Sequence, residues 1–131
     1  MVKQIFISFL FFFSLICIGQ QKTLFPPAEF YSCWKSSHEE NNEKAKTEVY
    51  RPCTYTKFPP SMFRLEIEFF ITGKCKYLHV GPTDIHYYVD GKWGMNKKTR
   101  IITVFDDKGK LAYKYKLKTV KKDELVLLSV N

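Results

Sequence analysis

Beyond Ile18 the sequence contains no long apolar run, and without one no helix can cross a membrane, which takes roughly 20 apolar residues. Cysteine is scarce, four in 131 residues. None lies about two to four residues from another, so no zinc-ligand pattern exists. There is no GxSxG, no Gly-rich phosphate loop and no cysteine with a histidine in local context. These absences leave no basis for nucleophilic or phosphoryl chemistry; neither an enzymatic activity nor a cofactor is expected. Past the N-terminus, no helix-period segment exceeds a turn or two.

Acidic residues are also in short supply, 13 against 21 Lys and Arg, for a net charge of +8. The imbalance is local. From Gln20 to Phe70 there are seven basic and seven acidic residues, whereas from Ile71 to Asn131 there are thirteen and six. Much of the excess falls in one run, where Lys110, Lys114, Lys116 and Lys118 alternate with Leu111, Tyr113, Tyr115 and Leu117. A period of two places the lysines on one face of a strand. That face reads as a solvated wall that discourages edge pairing, or else as a contact for an anionic envelope component. Nucleic acid is not expected, because no recognition motif accompanies the charge.

What is present begins with Lys3, an apolar stretch from Ile5 to Ile18 and then Gly19. This order is that of a secretory signal peptide spanning 1–19 and cut near Gly19. Lipid attachment at Cys17 is disfavoured by Ile16, which stands where a small residue is needed. The remaining segment, 20–131, of about 112 residues, suffices for one domain with a single core. A secreted or periplasmic monomer is expected. Cys33, Cys53 and Cys75 remain in it, an odd number. The pairing Cys53–Cys75 would tie a Pro-rich corner to the next hairpin, and three reduced, buried thiols are the alternative.

Short alternating runs fill the rest of the chain. Cys33–Glu40 reads as a first strand with Trp34 turned inward, 41–46 as a polar loop and Glu48–Pro52 as a second strand. Phe58-Pro59-Pro60-Ser61 is a corner, because proline has no N–H to donate and restricts its predecessor. Arg64–Ile71 alternates cleanly, with Leu65, Ile67, Phe69 and Ile71 on one face. Further strands follow over Cys75–Val80, Ile85–Asp90, Arg100–Phe105, Lys110–Val120 and Glu124–Val130. Turns separate them, and Gly91 reads as a bulge or bend before Trp93 and Met95. This spacing predicts an all-β fold, a small antiparallel up-and-down barrel or a sandwich.

A resemblance adds to this reading. Trp34 with Ser36-Ser37-His38-Glu39-Glu40, Val49-Tyr50-Arg51-Pro52, Phe58-Pro59-Pro60-Ser61 with Arg64, Gly81-Pro82-Thr83-Asp84, Gly91-Lys92-Trp93, Tyr115-Lys116-Leu117 and Asp123-Glu124-Leu125-Val126-Leu127 occur in an order that resembles a group of small exported Bacteroidetes proteins. The resemblance implies a lipocalin-like β-barrel and export, and no settled activity. Met62-Phe63 departs from the basic and small pair expected after Ser61.

The candidate site follows from the central hairpin. If Val80 pairs with Ile85, then His79 faces His86 and Tyr77 faces Tyr88, giving one semi-polar sheet face of Tyr77, His79, His86 and Tyr88. Such a face suits a cup for a small apolar or amphipathic ligand. Two histidines without a third fixed ligand do not make a metal site. Arg51 and Arg64 flank the Pro-rich corner; one of them is expected to close it through Glu39, Glu40 or backbone carbonyls, or else the arginines receive an anion. Glu39 and Glu40 themselves, as neighbours on a strand, would point to opposite faces and could not act as a catalytic pair.

Overall fold

A computed structural model describes residues 25–130 of the chain. The expected signal segment 1–19, with Lys3, Cys17 and Gly19, lies outside the described residues. Eight strands close into an antiparallel barrel. They are β1 (Cys33–Ser36), β2 (Thr47–Pro52), β3 (Glu66–Phe69), β4 (Lys74–Val80), β5 (His86–Met95), β6 (Ile101–Phe105), β7 (Leu111–Val120) and β8 (Leu125–Ser129). Among the described residues, no helix is long and apolar enough to cross a membrane.

The all-β barrel agrees with the expectation from strand spacing. From β3 to β8 each strand pairs with the next in up-and-down order; the β1–β2 hairpin then closes the ring, with β2 against β8 and β1 against β3. The link from β2 to β3 therefore has to cross the end of β1, and the Pro-rich segment between Cys53 and Leu65 makes that crossing.

Alternation sets what lies inside. Trp34 on β1, Tyr50 on β2, Ile67 and Phe69 on β3, Ile102 and Val104 on β6, and Leu125 and Leu127 on β8 are all buried. Each such aromatic or branched side chain withdrawn from water contributes roughly 1.5–3 kcal/mol. One end of the barrel is stopped by the N-terminal 3-10 turn Ala28–Phe30. Phe30 is fully buried, stacks on Phe69 at 4.4 Å and meets Trp93 at 5.2 Å. The Trp34 indole N–H donates to the Phe30 carbonyl at 3.1 Å, locking the stopper to β1.

Several expectations are corrected. The first strand ends at Ser36 instead of Glu40, because the Ser37 carbonyl accepts from the Glu40 N–H and His38–Glu40 winds into a 3-10 turn. The strand expected over Arg64–Ile71 is confined to Glu66–Phe69, and Ile71 is two-thirds exposed in the following turn. The disulfide joins Cys33 to Cys53, with Cα atoms 5.4 Å apart, and not Cys53 to Cys75. The antiparallel register explains the pairing. Trp34 sits opposite Pro52, so Cys33 and Cys53 are the next cross-strand neighbours, whereas Cys75 points into the core as a free thiol. Gly91 is no bulge, since β4 and β5 keep register through it. A Cβ there would overlap the Phe105 carbonyl oxygen, so glycine is required for β6 to approach. The strict alternation read along the lysine run is broken twice, with register shifts that leave Ala112 and Lys118 unmatched on β7. The first shift leaves Leu111 exposed at 59%.

Candidate ligand site at the barrel mouth

The end opposite the Phe30 stopper is built mainly by the β4–β5 hairpin. β5 pairs with β4 over His86–Lys92 but with β6 only from Lys92 to Met95. β4 in turn pairs with β3 only from Cys75 to Tyr77. The hairpin beyond Tyr77 and Val89 is therefore a two-stranded ribbon projecting past both neighbours. Ile85, Tyr87 and Tyr88 on it are each about half exposed or more.

The ribbon's register differs by one residue from the expected one. The turn closes as Gly81 N–H to Ile85 carbonyl, so Val80 pairs with His86, His79 with Tyr87, Leu78 with Tyr88 and Tyr77 with Val89. Ile85 is thereby taken into the turn, and Asp84 before it adopts a left-handed backbone, φ 58°, which aspartate tolerates better than most residues. Because side chains alternate, a one-residue shift exchanges the faces of one strand. Tyr77 and His79 consequently share the inner face with Tyr87 and Val89, while His86 and Tyr88 lie on the outer face with Leu78 and Val80. The two histidines fall on opposite faces and cannot share an ion.

The structure thus separates the six residues read from sequence. Tyr77 is buried in the core, 5.4 Å from the Tyr113 ring in edge-on contact. His79 lies against Tyr87 at 5.2 Å. With Tyr88, Val89 and Asp90, and with Asp106, Asp107 and Lys108 from the β6–β7 turn, these residues line a notch of about 530 Å³ at the mouth. His86 packs on Phe63 at 5.1 Å on the outer wall. Tyr88 donates its hydroxyl to Glu66 at 3.2 Å and lies beneath Lys76.

Arg51 and Arg64 are both engaged, where the sequence suggested one of them would close the corner. Arg51 grips Glu40 through two nitrogens, its Nε at 2.8 Å, and reaches the Asp123 carbonyl and Glu124. Arg64 grips Glu39 in the same two-pronged way and donates to the carbonyls of Ser36 and Pro59. Its guanidinium holds the Glu39 carboxyl down to about 2. These are carboxylate clamps that pin the 3-10 turn and the crossing segment; neither is within the notch.

Sequence reasoning missed the tyrosines below the notch. Tyr113 stacks on Tyr115 at 6.0 Å, and Tyr50 donates to Glu48 Oε2 at 2.8 Å inside the barrel. Burial pushes the phenols of Tyr77 and Tyr115 up to about 12 and raises those of Tyr50 and Tyr113. All four are neutral hydroxyls at physiological pH, able to donate a hydrogen bond from an apolar wall. The period-two run on β7 carried the signal for Tyr113 and Tyr115, but nothing in it separated a lining side chain from a filling one. The cluster of Cys33, Cys53 and Glu66 is no metal centre, because its two sulfurs form the disulfide.

Together these features define an eight-stranded antiparallel barrel, stopped at one end and notched at the other. Comparison of the chain with protein-family models, with curated proteins and with solved structures finds no match in any of the three.

Proposed function

We infer that this chain is an exported lipocalin-like barrel that binds a small amphipathic ligand at its mouth and catalyses no reaction on it. The observation that carries the reading is the asymmetry of the two ends. Phe30 and its partners stop one, whereas at the other a projecting ribbon presents His79, Tyr87 and Val89 above a buried column of neutral tyrosines. Apolar walls with a few hydrogen-bonding groups are what small-molecule sites are made of. Barrels of this size either fill with side chains or hold one small ligand. Here the lower interior is filled, so the ligand would seat in the notch and against the ribbon. The signal-like N-terminus and the resemblance to small exported Bacteroidetes proteins support export.

Native mass spectrometry of the protein purified from its own envelope, followed by extraction, tests this reading. A stoichiometric small amphipathic passenger is expected, and its retention should fall in a His79→Ala/Tyr87→Ala variant. A protein that is always empty, including after incubation with an envelope lipid extract, would refute it.

A second reading has one observation in its favour. Lys114, Lys116 and Lys118 are all exposed, and among the described residues none is ion-paired. With Lys110 they offer a basic wall to an anionic envelope component. Such binding would weaken steeply with added salt, and binding in the notch would not.

A further inference from the structure

The stopped end of the barrel carries two grooves, one on each side of Phe25. The first, of about 360 Å³, is walled by Tyr31, Ile71, Trp93 and Met95, with Lys97 as its one charged residue. The second, of about 380 Å³, runs over Leu117 and Val120 beside Arg100 and Lys118. No carboxylate lines either groove. The Arg100 guanidinium lies over the Phe25 ring at 5.1 Å, which joins the two into one surface. Ile71, in the β3–β4 turn, is 67% exposed beside it.

The turns at this end supply the charge. Lys97, Lys98 and Arg100 between β5 and β6 are exposed, as are Lys121 and Lys122 between β7 and β8, and among the described residues none of them is ion-paired. Glu29, Asp123 and Glu124 belong to the same end, but Glu124 is taken up by Arg51 at 3.3 Å. Exposed apolar side chains among unpaired cations, with Trp and Tyr at head-group level, are what a protein resting on an anionic bilayer presents. Trp93 and Tyr31, both partly buried in the first groove, stand where such a contact uses them. This is also the end that the chain enters at Phe25, after the signal-like run Ile5–Ile18. We propose that the stopped end docks on the surface of a bilayer containing anionic phospholipid. Ile71 and the grooves beside Phe25 enter the head-group layer, while Lys97, Lys98, Arg100 and Lys118 pair with phosphates. Docked in this way, the barrel leaves its mouth notch facing away from the bilayer.

The test is sedimentation of the barrel with vesicles of phosphatidylcholine alone and of phosphatidylcholine mixed with phosphatidylglycerol, at low and high salt. Binding to the mixed vesicles only, weakening as salt rises, is expected. A basic residue at an anionic surface is worth about fivefold in affinity, so Lys97→Gln/Lys98→Gln/Arg100→Gln should bind on the order of a hundredfold more weakly. Ile71→Ser should weaken binding at both salt concentrations. Lys110→Gln/Lys114→Gln/Lys116→Gln, in the lysine wall, and His79→Ala/Tyr87→Ala, at the mouth, should leave it unchanged, so the outcome is independent of the notch ligand. Tryptophan emission should shift to the blue on binding, and the shift reports on Trp93 because Trp34 is already fully buried. The proposal is overturned if the mixed vesicles do not bind, or if the wall variant loses binding while the turn variant keeps it. It is equally overturned if monomeric dihexanoyl phosphatidylglycerol binds as tightly as the vesicles, which would make the grooves a small-ligand site. The exchanged turn residues are exposed, so a folding defect is not expected, and an unchanged thermal transition verifies this.

Discussion

Trp34 shows how much of this barrel hangs on single side chains. Fully buried, it fills the wall beneath the stopper and also donates its only polar hydrogen to the Phe30 carbonyl. Trp34→Ala should cost about 3–5 kcal/mol in denaturant unfolding; a loss below about 1 kcal/mol would contradict its placement. Glu39 answers a different question at the same scale. Its carboxyl is held at about 2 in the folded chain, chiefly by its hydrogen bonds to Arg64, and is ordinary when unfolded. A depressed folded value means that the contribution is present above the unfolded value and lost as pH falls towards 2. Stability of the parent should therefore fall over that acidic interval more than that of Arg64→Gln, as read by urea midpoints at a series of pH values. The role of Trp34 could be read from alternation. Those of Arg51 and Arg64 could be read only as alternatives, because a two-pronged grip on a carboxylate depends on how the chain crosses between β2 and β3.

At the scale of elements, legibility followed the length and regularity of the alternation. β6 and β8 emerged from the pattern with their ends within a residue of the expected ones. β1 did not end where its pattern ended, since the Ser37 carbonyl takes the Glu40 N–H and starts a 3-10 turn. The β4–β5 register was missed for want of one turn residue, Ile85, which follows Asp84 in its left-handed conformation, and that single step turned His86 and Tyr88 to the outer face. The disulfide was missed for a related reason: the β1–β2 register decides it, and loop length does not. Proteolytic mapping under non-reducing conditions should find Cys33 joined to Cys53 and Cys75 free, with Cys75 unreactive to alkylation until the barrel unfolds. Replacing Cys53 by Ser should lower stability by roughly 3 kcal/mol, the scale for a loop of about 20 residues.

Across the whole molecule, the ring order explains why the two ends differ. The strands from β3 to β8 follow one another simply, and closure by the β1–β2 hairpin brings the N-terminal segment under the barrel, where Phe30 stops it. Among the described residues nothing comparable covers the other end, where the β4–β5 ribbon outruns its neighbours. No local pattern in the sequence could announce that asymmetry, because it arises from the unequal lengths of strands that are far apart in the chain. The proposed ligand role rests on it. The most direct measurement is residue-resolved NMR of the barrel titrated with an uncharged amphipath such as decanol. The account predicts saturable shifts centred on Tyr77, His79, Tyr87 and Val89, with Phe30 and Phe69 at the stopped end undisturbed. Shifts confined to the outer lysine wall, or none at all, would contradict it.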